Sequence, residues 1–242
     1  SVVLAAKRAK LPVVVSPILL DYSERSVYSN DVPKIFASGY SDRDIDQMLR
    51  ALRERRAKET ALGEGLKEPG VGYFGKIVSI LDNADHVICL SQKERDLIAA
   101  IGSGPKSVSI VHNATAASLY AEADPALFET EYGVKDFVLC VGRKEARKNQ
   151  LMLLYALRHE GMPIVLIGHE HQPDEIYLEQ LHRLAEQRGN VHLIDRLDPN
   201  SPMLASAYAA SRVFALPSWV EGAPLVAIEA AAAGCNLVLA AG

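Results

Sequence analysis

Cysteine is scarce in this chain. Three occur in 242 residues, Cys89, Cys140 and Cys235, far apart and each set in an apolar run. Their spacing suits neither a disulfide framework nor a zinc site, so they read as reduced core thiols. No apolar run approaches the roughly 18–20 residues of a membrane-spanning helix. Ser1–Lys10 is a short mixed segment without the pattern of a secretory leader. Internal repeats and low-complexity stretches are missing. A formal net charge of −4 argues against nucleic acid as a partner. No G-x-G-x-x-G opens a strand–helix unit, which speaks against an NAD-type site, and no G-x-S-x-G marks a serine hydrolase. Gly102-Ser-Gly-Pro-Lys-Ser107 lacks both the spacing of a P-loop and a preceding strand. His169-Glu170-His171 does not have zinc-ligand spacing, so no metal is expected. The reduced thiols lead to the expectation of a cytoplasmic protein, and its 49% apolar residues are enough for a sizeable core.

The second half is strongly patterned. Apolar, β-rich runs lie at Phe137–Val141, Ile164–Ile167, Val191–Ile194, Val213–Leu216 and Leu237–Leu239, starting 22–27 residues apart. That spacing predicts strand–helix units of a parallel sheet. The intervening segments carry helix ends. Asn149 is placed to cap a helix running to Gly161. Pro173 precedes a helix with Leu178, Leu181 and Leu184 on one face, closed by Gly189. Ser201-Pro202 is a cap with a first-turn proline. Pro224 opens a helix ending at Gly234. The prediction is an α/β, Rossmann-like, doubly wound domain over 118–242.

The first half, 1–117, is predicted to be part of a second Rossmann-like lobe. Pro12–Ser16, His86–Leu90 and Val108–Val111 are its strand candidates. Ser91-Gln-Lys-Glu94 is a capping box for a helix ending at Gly102. Ile45, Met48, Leu49 and Leu52 fall at i, i+3, i+4 and i+7 and predict an amphipathic helix. Its continuation, Arg50 to Lys58, holds five basic residues and one acid. That stretch is either a solvated face or a patch for peripheral contact with an anionic membrane or acceptor.

Ligands of open α/β sheets bind beyond the carboxyl ends of the strands. Four loops follow such ends here. The first is Gly142-Arg143-Lys144-Glu145-Ala146-Arg147-Lys148-Asn149, the second begins at Gly168, and the third contains Asp195 and Arg196. The fourth is Pro217-Ser-Trp-Val-Glu221-Gly222-Ala223-Pro224. Arg143 and Lys148, next to a helix start, suit an anion such as phosphate. Lys144 and Arg147 are expected to face outward. The helix after the fourth loop is apolar all round except at Glu229, so Glu229 is expected to be buried. A buried carboxylate needs donors, and its own helix supplies none; two vicinal ribose hydroxyls, or a protein group from elsewhere, would serve. Trp219, the only tryptophan, stands two residues before Glu221, either packing over the site or anchoring the core.

Glu221 and Glu229, with seven residues between them, resemble the E-x7-E motif of retaining GT-B glycosyltransferases of family 4, the glycosyl transferases group 1. Leu139-Cys-Val-Gly-Arg143 with Lys148-Asn149 resembles that family's strand–Gly-Arg–Lys element. Val165–Gly168, Asn190–Leu193, Tyr208–Ser218 and Glu229–Gly234 resemble its further blocks, in order. The resemblance covers roughly residues 84–242. It implies a GT-B fold and transfer of a sugar from a UDP- or GDP-sugar to a saccharide or lipid-linked acceptor, with retained configuration and no cofactor or bound metal. Arg143 and Lys148 would hold the leaving diphosphate, with Glu221 on hydroxyls of the donor sugar. Glu229 would take the ribose hydroxyls. The backbone of Gly222, Ala223, Pro224 and Leu225 would line sugar and phosphate; Gly142, Gly168 and Arg196 would border phosphate and base. The family's glycine-rich first loop has no counterpart here. Ser16-Pro17-Ile18 stands where many members place a histidine, so no acceptor-side residue is assigned. A piece of a longer protein, cut at both ends, is therefore expected, at the inner face of a membrane or free of it. The alternative is a non-catalytic binding module for a nucleotide-sugar or a partner protein.

Overall fold

The computed structural model describes residues 2–16, 25–37, 39, 41–61, 72–100, 104–171 and 175–240. Pro17, Ile18, Pro173 and Gly102 lie outside them, as do the side chains of Arg53 and 55–60. The chain forms two compact units. One comprises Ser1–Asp21 with Arg53–Asn113, the other Tyr22–Leu52 with Ala114–Gly242. The second unit thus takes in a segment, 22–52, that the sequence reading placed with the first.

In the first unit, strands β1 (Val14–Val15), β2 (His86–Cys89) and β3 (Val108–Ile110) form a parallel sheet in the order β1-β2-β3. Helices α1 (Val2–Arg8), α4 (Gly72–Asp82) and α5 (Gln92–Ala100) belong to it. Leu81, Ala84, Val87, Cys89 and Ile98 make its core. The predicted capping box is present in modified form. Ser91 Oγ accepts from the Glu94 amide at 3.2 Å, and the Glu94 carboxylate reaches back to the Leu90 amide at 2.7 Å. Asp85 ties three segments together. It accepts from Lys7 at 2.6 Å, Lys106 at 2.7 Å and the Val13 amide at 2.9 Å. Those donors, Lys106 foremost, hold its carboxyl far below the ordinary value of 3.8.

The second unit is a doubly wound parallel sheet. Its strands β4 (Phe137–Val141), β5 (Ile164–Ile167), β6 (Val191–Ile194), β7 (Ser211–Leu216) and β8 (Asn236–Leu239) run in the order β6-β5-β4-β7-β8. All five residues of β4 are buried, as a central strand covered on both faces requires. Their alternation shares them between two cores. Phe137, Leu139 and Val141 face a core with Phe128, Leu204, Tyr208 and Ala230, from helices α7 (Ala126–Tyr132), α10 (Pro202–Ala210) and α11 (Leu225–Ala232). Tyr120 joins it from the short α6 (Ala117–Ala121). Val138 and Cys140 face the opposite core with Leu151, Leu154, Leu178 and Leu181, from α8 (Gln150–Ala156) and α9 (Glu175–Arg188). This core also takes Val32 and Phe36 of α2 (Arg25–Ala37) and Ile45 of α3 (Asp42–Ala61), with Leu49 and Leu52 beside it. The apolar stripe predicted on α3 therefore packs into the second unit's core, through Ile45, Leu49 and Leu52.

Local sequence explains most boundaries. Ser201 caps α10 by accepting from the Leu204 amide, with Pro202 in the first turn. Gly189 follows α9 at φ 74°, a left-handed position that favours glycine. The helix expected to run from Asn149 to Gly161 instead stops at Ala156. Beyond it the chain turns, with the Glu160 amide donating to the Leu157 carbonyl, and the Arg188 guanidinium donates to the carbonyls of Leu157, Glu160 and Met162, which a helix end leaves free. Asn149 is not a side-chain cap. It sits at φ 59° and donates to the Pro217 carbonyl at 3.1 Å.

Leu139 is fully buried at the centre of the sheet. Leu139→Ala is expected to cost about 2–5 kcal/mol, read from urea unfolding followed by the single tryptophan, Trp219, which reports on this unit. The depressed Asp85 carboxyl contributes stability above the ordinary carboxylate range, lost as pH falls through its lowered value. Asp85→Asn should abolish that acid-side loss in a circular-dichroism titration while weakening the first unit at neutral pH.

Candidate functional site

Strand order reverses at β4. The chain runs outward from β4 to β5 and β6 on one side and returns to β7 and β8 on the other. A crevice opens beyond the strand ends at such a switch point. The loops after β4 and β7 meet there and are laced together. The Trp219 amide donates to the Arg147 carbonyl at 2.9 Å, and Arg147 Nη1 to the Val220 carbonyl at 3.0 Å. A short 3-10 turn, Ala146–Lys148, followed by left-handed Asn149, aims the basic side chains.

Lys148 points across the crevice. Its Nζ lies 2.5 Å from Glu221 Oε1, and Arg147 Nη1 lies 3.4 Å from the same oxygen. The two residues chosen from sequence as phosphate cation and sugar-binding acid are therefore paired with each other. Gly142 makes room for this: a side chain there would meet the Lys148 stem at 3.3 Å. Arg143 is more than half exposed and sits 3.6 Å from Glu145 Oε1. Its carbonyl is held by Gln150 Nε2 at 2.9 Å, and Gln150 in turn accepts from the Tyr177 hydroxyl at 2.5 Å.

Two residues expected to face outward do not. Lys144 is buried, and its Nζ donates to the Gly168 and Ile194 carbonyls, the latter at 2.9 Å. It clasps the ends of β5 and β6 because its backbone pairs beside Glu170, which turns the side chain under the loop. Burial lowers its pKa, offset in part by Glu170 and Asp195. Arg147 turns inward to Glu145 Oε1 at 2.8 Å. Glu145, 2% exposed, is thus the anchor of both arginines and a site residue that spacing alone does not reveal.

Gly168 stands at the end of β5 at φ 150°, and a Cβ there would lie 2.2 Å from the Gly142 carbonyl oxygen. Only glycine fits this approach of two strand ends. Arg196 is exposed, its amide bonded to Asp195 Oδ1 at 2.7 Å. Asp195 also takes His169 Nδ1 at 2.6 Å, and these two partners, the amide first, lower its pKa. His182 meets Glu170 at 2.8 Å. Gly222 and Leu225 are exposed, Ala223 and Pro224 partly so, at the start of α11.

Glu229 is 8% exposed, as its apolar helix requires. A protein donor reaches it: the Tyr208 hydroxyl, at 2.8 Å from Oε2. No cation is recorded at hydrogen-bonding distance among the described residues. Burial pushes the pKa of Cys140 up to about 12, so its thiol stays protonated and is a poor nucleophile. Three cations, two carboxylates beside them, close-approaching glycines and one enclosed carboxylate suit an anionic ligand rich in hydroxyls. A cleft of about 410 Å³, lined by Phe36, Asp42, Tyr155, Arg158, Arg183 and Arg188 among others, holds none of the candidate residues.

Residues 128–241 match the family model of glycosyl transferases group 1. D-inositol 3-phosphate glycosyltransferase of Mycolicibacterium paratuberculosis is 30% identical over 191 residues, covering 76% of this chain and 43% of the relative. The enzyme of that name from Mycobacteroides abscessus is 29% identical over 194 residues, with the same coverages. The chain thus spans less than half the length of these curated relatives. Among solved structures, Anabaena HepE in complex with UDP and glucose superposes with a TM-score of 0.68 at 18% identity, over 98% of this chain and 55% of that one. Sucrose-phosphate synthase from Thermosynechococcus elongatus gives 0.67 at 20%, over 98% and 53%. The fold is that of GT-B glycosyltransferases.

Gly168→Ala is expected to destabilise the second unit by at least about 2 kcal/mol, from the strained φ and the backbone clash together. Thermal unfolding followed at Trp219 measures it; a shift within error of zero would refute the close packing of the two strand ends.

Proposed function

Because residues 128–241 make this chain a member of the glycosyl transferases group 1 family, we propose that it serves transfer of a sugar from a UDP- or GDP-sugar to a saccharide or lipid-linked acceptor, with retention of configuration. The observation that carries the proposal is the meeting of Lys148 and Glu221 across the switch point, beside Arg143 and upstream of enclosed Glu229. The donor's diphosphate lies at Arg143 and Lys148. When the bond from the sugar's anomeric carbon to the phosphate oxygen breaks, its electron pair stays on that oxygen, and these two cations stabilise the charge. Glu221 moves from Lys148 to hydroxyls of the sugar, and the amides at the start of α11 face sugar and phosphate. Glu229 accepts from the ribose. Gly168 and Arg196 border the base. The acceptor comes from the side of the departing phosphate, as retention demands; no described helix is long and apolar enough to cross a membrane.

The UDP found with HepE makes UDP the first nucleotide to try. UDP and GDP are titrated by calorimetry. Binding by one is expected, and ligand at 100 times its dissociation constant should add about 2.7 kcal/mol of stability. Lys148→Ala should weaken binding about tenfold or more. Glu221→Gln should do the reverse for the bare nucleotide, tightening it several-fold, because the diphosphate no longer competes with a carboxylate for Lys148. The same variant should lower sugar transfer. Transfer is assayed in a chain carrying the rest of the relatives' length, and anomeric configuration is read by NMR. Nucleotide binding without any transfer in that longer chain would favour a binding module instead.

A further inference from the structure

Glu229 and Tyr208 form a pair that sequence spacing did not reveal, on neighbouring helices α11 and α10. Tyr208 is fully buried and donates to Glu229 Oε2 at 2.8 Å. Its ring is fixed from two sides. Tyr120 meets it edge-on, with centroids 5.7 Å apart and planes at 77°, and Phe214 packs at 5.7 Å. Its backbone is fixed as well, the carbonyl accepting from Ser211 Oγ at 2.8 Å and Cys235 Sγ at 3.2 Å. The hydroxyl therefore cannot swing away from the carboxylate without unpacking the core. Burial and the facing carboxylate raise its pKa, so it remains a donor. Among the described residues the Tyr120 hydroxyl also faces this carboxylate, and it contacts Asn200 Oδ1 at 3.5 Å.

An ionised carboxylate has about four acceptor positions. Tyr208 fills one on Oε2 and sets the plane of the group, which decides where its remaining lone pairs point. A freely rotating carboxylate accepts from any hydroxyl; one with a fixed plane accepts two adjacent hydroxyls in a single geometry. We propose that Tyr208 is the positioning residue that orients Glu229 toward the vicinal hydroxyls of a ribose, making the site select ribonucleotides over 2′-deoxyribonucleotides. This rests on the donor reading given above, in which Glu229 meets the ribose.

The test measures affinities of UDP, 2′-deoxy-UDP, GDP and 2′-deoxy-GDP by calorimetry. The unaltered chain should prefer the better-bound ribonucleotide about tenfold over its deoxy form, the equivalent of one hydrogen bond to a charged group. Tyr208→Phe keeps the ring and loses the donor. It should bring the two forms within about twofold, chiefly by weakening the ribonucleotide. Replacing Tyr208 with 4-aminophenylalanine keeps both ring and donor and should restore the preference; a loss of preference there overturns the inference. That variant also carries the test should Tyr208→Phe fail to fold. If Tyr208→Phe keeps the full preference while Glu229→Gln loses it, Glu229 reads the ribose without Tyr208 and the inference is wrong, with the donor reading intact. Absence of UDP and GDP binding in the unaltered chain would overturn both.

Discussion

One carboxylate bridges the crevice at the switch point, and the candidate site is organised around it. Glu221 Oε1 is approached by Lys148 and by Arg147, whose other bonds run to Glu145 and the Val220 carbonyl. The loop after β4 and the loop after β7 are joined through this oxygen. Arg147 keeps Glu145 and the Val220 carbonyl besides this acid, whereas Lys148 meets Glu221 at 2.5 Å. A polyanion entering the crevice competes with that acid for the same cations. Under the proposed donor binding, the ion pair keeps Lys148 in place until the diphosphate takes it over.

The sheet beneath gives this arrangement its rigidity. β4 is buried on both faces, so its carboxyl end cannot shift without disturbing two cores. Gly168 lies against the Gly142 carbonyl with no space for a side chain, and Lys144 ties the ends of β5 and β6 from below. The elements that present ligand-facing groups are thus loops, but loops pinned at both ends to a close-packed frame. On the far side, α10 and α11 pack together and bring Tyr208 to Glu229. Preorganisation of this sort is what electrostatic stabilisation of a leaving group needs, since dipoles already in place require no rearrangement at the moment of reaction.

Much of this was legible in the sequence. The strand runs of the second half carry an unmistakable period, and Glu229 betrays itself as the single polar residue in an aliphatic helix. Arg143, Lys148 and Glu221 could be picked because they follow strand ends. Loop orientation could not be read. Lys144 and Arg147 have no periodicity to place them, and it is the backbone pairing beside Glu170 and the 3-10 turn that send both inward. Glu145 was invisible for a similar reason, since nothing in its spacing says that two arginines converge on it. Tyr208 sits among alanines and reads as core; its hydroxyl acquires meaning only when α11 is laid beside α10. The stripe on α3 announced a buried face without saying what would bury it, and the short helices α6 and α7 were too brief to show a period.

The central claim is that the nucleotide's ribose meets Glu229 at the edge of this crevice. A crystal structure of the chain with the better-binding nucleotide diphosphate tests it most directly. The account predicts ribose hydroxyls at about 3 Å from the Glu229 carboxylate, with the diphosphate on Arg143 and Lys148 and Glu221 released. A nucleotide seated elsewhere, for instance in the arginine-lined cleft beside Tyr155 and Arg183, with the Lys148–Glu221 pair intact, would contradict it.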